Sequence, residues 1–112
     1  MRSQRLSRIR EEVIKILKRL SKEVDGEVYL FGSYAEGKHT VDSDVDIIVV
    51  SSKFRDIEYL DRITYIRMKL PPKYGFDIIA LTPEEFRKKL EKPFFKEISR
   101  AWIRVSYKED DI

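Results

Sequence analysis

Val28-Tyr29-Leu30-Phe31-Gly32-Ser33, then ten residues that are mostly small, polar or charged, then Asp44-Val45-Asp46-Ile47-Ile48-Val49-Val50: this stretch decides how the chain folds. Its first part is a short apolar run stopped by Gly-Ser, which reads as a buried strand ending in a sharp turn. Its last part is a second strand whose unbroken apolar end implies burial on both faces. The residues between are a loop, with room for one helical turn near Tyr34–Gly37.

Upstream, Leu6, Ile9, Val13, Ile16, Leu17 and Leu20 recur at intervals of three and four, the spacing of one helix face. Ser3 suits the N-cap of that helix, and Asp25-Gly26 ends it with turn chemistry. Downstream, residues Asp56 to Leu70 read as a helix whose inner face draws on Ile57, Leu60, Ile63, Tyr65 or Ile66, and Leu70. Pro71-Pro72 stops it. Phe76 to Leu81 is a third strand. Thr82-Pro83-Glu84-Glu85 then supplies a cap, a proline at the first helical position and two acids in the first turn. That helix ends before Pro93. Another runs from Phe94 to about Trp102, followed by a final strand at Ile103–Tyr107 and a frayed tail from Lys108 to Ile112. The order predicts an α/β (α+β) fold: a small mixed sheet with helices packed mainly on one face, in a single domain spanning residues 1–112.

Composition narrows the class. With 42% apolar and 38% charged residues, the chain can bury one modest core under a well-solvated surface. It has no cysteines, so disulfides and thiolate metal sites are excluded. No stretch approaches the roughly 20 apolar residues needed to cross a bilayer. Met1-Arg2-Ser3-Gln4-Arg5 lacks the apolar segment of a secretory signal, so a cytoplasmic location and no membrane partner are expected. Residues 1–22 hold eight Lys/Arg against Glu11 and Glu12, while the rest of the chain is net acidic. That first helix could meet nucleic acid, but no aromatic residues interleave with its charges, so a solvated face is favoured.

The chemistry concentrates around the two strand ends. Side chains at i and i+2 of a strand share a face, so Asp44 and Asp46 point together at the start of theirs. Convergent carboxylates are costly unless a cation neutralises them, and hard oxygen ligands select Mg²⁺ or Mn²⁺, commonly with substrate phosphates. Asp77, alone among apolar neighbours in the third strand, is the third candidate. Gly32 gives backbone freedom at the turn. Ser33 adds a hydroxyl and an amide that can cradle phosphate oxygens, helped by a helix dipole if residues 34–37 are helical. His39, the single histidine, reads as a solvent-exposed loop residue.

Gly32-Ser33, a ten-residue gap, Ser43 and then Asp44-Val45-Asp46, with Gly37 in the loop and Asp77 later, resembles the signature of the minimal nucleotidyltransferases of the DNA polymerase beta-like superfamily. Leu81-Thr82-Pro83-Glu84-Glu85-Phe86 also resembles the helix start that follows the third strand there. Glu36 departs from the pattern, since many relatives have arginine before the loop glycine. The resemblance implies ATP as substrate and Mg²⁺ or Mn²⁺ held by Asp44, Asp46 and Asp77 as catalytic acids. It also implies a nucleotide site that includes Gly32, Ser33 and Ser43. Such proteins resemble the antitoxin halves of modules whose partner is a helical HEPN-type toxin, so transfer of AMP to a partner tyrosine is the leading expectation. Neutralisation by occlusion alone, through aromatics such as Tyr34, Tyr59, Tyr65, Phe94, Phe95 and Trp102, is the alternative. Transfer to RNA or a small molecule is a third. Homo- or hetero-oligomer formation stays open.

Overall fold

The computed structural model describes residues 3–107, so the tail expected to fray lies outside the described residues. Four strands, β1 (Glu27–Phe31), β2 (Val45–Val50), β3 (Phe76–Leu81) and β4 (Ile103–Val105), form one sheet in the order β3-β2-β1-β4. β1 runs antiparallel to both β2 and β4, and β2 runs parallel to β3. The helices are α1 (Gln4–Val24), α2 (Ser33–Glu36), α3 (Tyr59–Arg67), α4 (Pro83–Lys89) and α5 (Pro93–Ile98). A parallel pair needs a crossover connection, and α3 provides it between β2 and β3. No helix among the described residues is long and apolar enough to cross a membrane.

Local chemistry sets the ends of α1. The Ser3 hydroxyl accepts from the Leu6 amide at 3.2 Å. At the other end Asp25 adopts a left-handed conformation, its amide donating to Lys22 O while the Gly26 amide donates to Ser21 O, the paired closure of a Schellman motif.

Period-two alternation then divides the strands between two cores. Val45, Ile47 and Val49 of β2, with Val28, Leu30 and Ala80, meet Val13, Leu17, Leu20 and Val24 of α1 and Ile66 of α3. On the opposite face Tyr29, Phe31, Ile48, Val50 and Leu81 meet Phe95, with half-buried Phe86, Ile98 and Trp102 packed against them. The two long helices therefore cover one face and the short α4 and α5 the other. This double covering is why β2 ends in an unbroken apolar run.

Helix α3 departs from its expected extent and face. It starts at Tyr59 rather than Asp56, because Asp56 has φ +63°, outside helical space. Leu60 is 77% exposed and Ile57 also faces solvent, whereas Arg62 is buried. With Ile66 facing the core, residues four before it and four after it share that side, which brings in Arg62 and excludes Leu60. Arg62 is satisfied there: it donates to Ile57 O at 2.9 Å, Ala80 O at 3.2 Å and Glu85 Oε1 at 2.6 Å. Glu85 in turn closes the α4 capping box, accepting from the Thr82 amide at 2.8 Å. Its bond to Arg62 holds its carboxyl below the usual range. Arg62→Ala should cost about 2–3 kcal/mol, because it strands the Ile57 and Ala80 carbonyls and removes the ion pair that steadies Glu85. Chemical denaturation checks this; a loss within ~0.5 kcal/mol would show that the network is not structural.

Candidate active site

The site lies at the end of the sheet where β1 finishes and β2 and β3 begin. Register places Asp46 opposite Phe31 of β1 on one side and opposite Asp77 of β3 on the other. In a parallel pair, directly opposed residues project to the same face. Asp46 and Asp77 therefore meet on the α4–α5 side, with the apolar Phe31 beside them. Asp44 sits just before β2, exposed, and its carboxylate lies over Gly75, where a Cβ would collide with Oδ1. The Gly75 carbonyl accepts from the Val45 amide at 2.8 Å, so the same residue extends the strand pairing and leaves room for Asp44.

Electrostatics register this crowding. Burial pushes the Asp46 carboxyl up to about 6, helped by the charge and hydrogen bond of Asp77 and the charge of Asp44. A carboxyl raised from 3.8 keeps its proton longer in the folded protein than in the unfolded one. The folded state thus binds more protons between about pH 4 and pH 6, and stability falls as pH rises through that window. Urea unfolding of wild type and Asp46→Asn in cation-free buffer should show the variant gaining relative stability from pH 4 to pH 6. Added Mg²⁺ should narrow the gap. A difference that stays flat across that range would contradict the raised Asp46 carboxyl.

Among the described residues no three acids or histidines stand close enough to hold a metal ion as placed. The donor set nonetheless fits a hard divalent cation. Asp46 and Asp77 present their carboxylates side by side, in a repulsion that a cation would relieve, with Asp44 within electrostatic reach.

Gly32 has φ +73°, a conformation that side chains rarely adopt, and a Cβ there would overlap Asp46 Oδ2. The turn and the acid are in van der Waals contact. Ser33 opens α2, and its carbonyl accepts from the Lys38 amide at 2.8 Å. α2 is a single turn of four residues, too short for the dipole contribution allowed for in the sequence reading. Ser43 closes the turn of residues 40–43, its Oγ accepting from the Thr40 amide at 2.8 Å. Glu36 pairs loosely with Lys38 at 3.7 Å.

Two supports escaped the sequence reading. Arg10, counted there among solvated charges, turns inward and donates to Tyr34 O at 2.7 Å and Ala35 O at 3.3 Å, holding α2 from α1. His39 is not a solvent-exposed loop residue: it is 2% exposed, stacks on buried Tyr34 at 4.4 Å, and its Nε2 contacts Leu6 O at 2.8 Å. Of the aromatics named for occlusion, Tyr34 and Phe95 are buried and Trp102 is half-buried, while Tyr59, Tyr65 and Phe94 are exposed.

A four-stranded mixed sheet with an acid pair beside a Gly-Ser turn defines a nucleotidyltransferase-like protein. The profile of the nucleotidyltransferase domain family matches residues 10–102, and the chain belongs to that family. Two Methanocaldococcus jannaschii proteins, each named a putative protein adenylyltransferase, are similar to it. One is 27% identical, covering 84% of this chain and 99% of that protein. The other is 36% identical, covering 64% and 69%. Among solved structures, a putative nucleotidyltransferase from Sulfolobus solfataricus superposes with a TM-score of 0.61 at 25% identity, covering 78% of this chain and 82% of that one. Another putative nucleotidyltransferase gives 0.52 at 29% identity, covering 85% and 95%.

Proposed function

We propose that this chain transfers the AMP moiety of ATP to a tyrosine hydroxyl of a helical HEPN-type toxin and so acts as its antitoxin. The meeting of Asp46 and Asp77 beside Gly32 carries the reading. The names of the two archaeal relatives support a protein acceptor. Asp44 and Asp77 are exposed at the sheet end, which leaves the acids open to a partner that supplies part of the pocket.

In the proposed reaction the acceptor oxygen attacks the α-phosphorus of ATP, the bond from that phosphorus to the β-bridging oxygen breaks, and pyrophosphate leaves. Asp77 accepts the hydroxyl proton. The Gly32–Ser33 turn holds the β- and γ-phosphates, and Ser43 belongs to the same nucleotide side. A Mg²⁺ or Mn²⁺ ion bound by Asp44, Asp46 and Asp77 supplies positive charge to the triphosphate and the departing pyrophosphate.

The test incubates the purified chain with ATP, Mg²⁺ and the helical protein encoded beside it, and reads the partner by intact mass. One added AMP on a tyrosine is the expected result; unmodified partner at saturating ATP overturns it. Occlusion without catalysis draws on one observation: Leu60 and Met68 of the α3 segment are 77% and 81% exposed, leaving apolar surface for a partner. An Asp44→Ala/Asp46→Ala double variant separates the readings, since occlusion predicts that it still neutralises the toxin.

A further inference from the structure

A cavity of about 180 Å³ adjoins the acid pair on the α5 side, lined by Gly32, Glu36, Glu97, Ile98, Arg100 and Ala101. It shares a wall with the site, because Gly32 touches both the cavity and Asp46. Its charge is out of balance for the substrate. A triphosphate resting on the Gly32–Ser33 turn would face Asp44, Asp46 and Asp77 on one side and Glu36 and Glu97 on the other. Position 36 holds an acid, and the basic residue just past α2, Lys38, pairs loosely with it at 3.7 Å and does not line the cavity. Among the described residues lining the cavity, Arg100 alone is basic.

We infer that Arg100 is a triphosphate-binding residue, reaching the β- and γ-phosphates across this cavity and supplying the positive charge that Glu36 withholds. The inference rests on the nucleotidyl-transfer reading and adds a residue to it. Arg100 follows α5, in the turn that leads into β4, anchored by its neighbours Ile98 and Trp102, which pack in the second core. Its ion pair with Glu97 is 3.4 Å long, between side chains 77% and 71% exposed, so water already competes for both partners. A phosphate displaces such a partner readily. The guanidinium offers two parallel donors to phosphate oxygens, which a solvated carboxylate three residues away on one helical turn does not hold fast.

Isothermal titration in Mg²⁺ buffer with ATP, AMP and inorganic tripolyphosphate tests this. Arg100→Ala should weaken ATP and tripolyphosphate by about ten- to hundredfold, the range for losing a charge-assisted contact, and leave AMP unchanged. Arg100→Lys should recover part of the loss, and Glu97→Gln should equal or exceed wild-type affinity. Melting temperatures should stay together, since Arg100 is exposed. Wild-type ATP affinity in Arg100→Ala overturns the inference and leaves the reaction standing, as does an equal loss for AMP. A wild-type protein that binds neither ATP nor tripolyphosphate overturns the nucleotidyl-transfer reading itself.

Discussion

Replacing Asp46 with asparagine is expected to lower AMP transfer by about a thousandfold or more while the protein stays folded. The two side chains have the same shape, so core volume and the β1–β2–β3 register survive. What is lost is charge at the one position where three strands bring an acid between Phe31 and Asp77. Positioning and electrostatics carry most of the barrier reduction in phosphoryl and nucleotidyl transfer, which is why one missing anionic ligand has so large an effect. The same substitution removes a carboxyl that folding forces to keep its proton up to about pH 6. Asp46→Asn should therefore be at least as stable as wild type at neutral pH without added cation. A dead and unfolded variant would point to a structural role, and an active one would remove Asp46 from the reaction. Partner labelling and a melting curve on the same preparation decide it.

A stability cost at a position proposed for chemistry is what made the acids legible before any coordinates. An aspartate in the middle of Phe76–Leu81 breaks the apolar pattern of a strand, and a pair two residues apart breaks the opening of another. Sequence marks such breaks wherever folding alone would have chosen otherwise. Strand order and register were not marked in the same way. They depend on which edge the crossover helix returns to, and only the pairing of Asp46 with Asp77 puts the two breaks side by side.

The misses have a common physical origin. Arg10 falls three before Val13 and seven before Leu17, on the stripe that α1 buries, and Arg62 falls four before Ile66 on the stripe that α3 buries. Choosing helix faces by apolarity passes over both, although spacing alone would have found them. Leu60 was selected by the same bias and points away from the core. His39 carries no periodic signal: a loop histidine is buried or exposed according to what packs over it. Here α1 does, through Leu6 O, and Tyr34 closes the other side. The loop between the motif halves is consequently fixed from below by α1, through His39 and Arg10, rather than by its own composition.

Gly32→Ala should be the most damaging single-atom change in the site, with transfer reduced by about a hundredfold or more and stability by about 1–3 kcal/mol. Two costs combine. Its φ of +73° and ψ of −151° lie in a region that is almost closed to residues with a Cβ. The added methyl also overlaps Asp46 Oδ2, so either the turn shifts and carries Ser33 with it, or the carboxylate is driven off its position beside Asp77. Both outcomes misplace reacting groups by a fraction of an ångström or more. Gly37 provides the control, because its φ is also +73° but a Cβ there meets nothing within 4 Å. Gly37→Ala should lose about 1 kcal/mol to backbone strain and keep most of its activity. The collision can be isolated by a double-mutant cycle with Asp46→Ala, read by denaturant unfolding. Removing the carboxylate should shrink the penalty of Gly32→Ala to its backbone part, a favourable coupling of about 1 kcal/mol. Strict additivity would mean that the methyl and the carboxylate never compete for the same space, and the close packing of turn against acid would have to be abandoned.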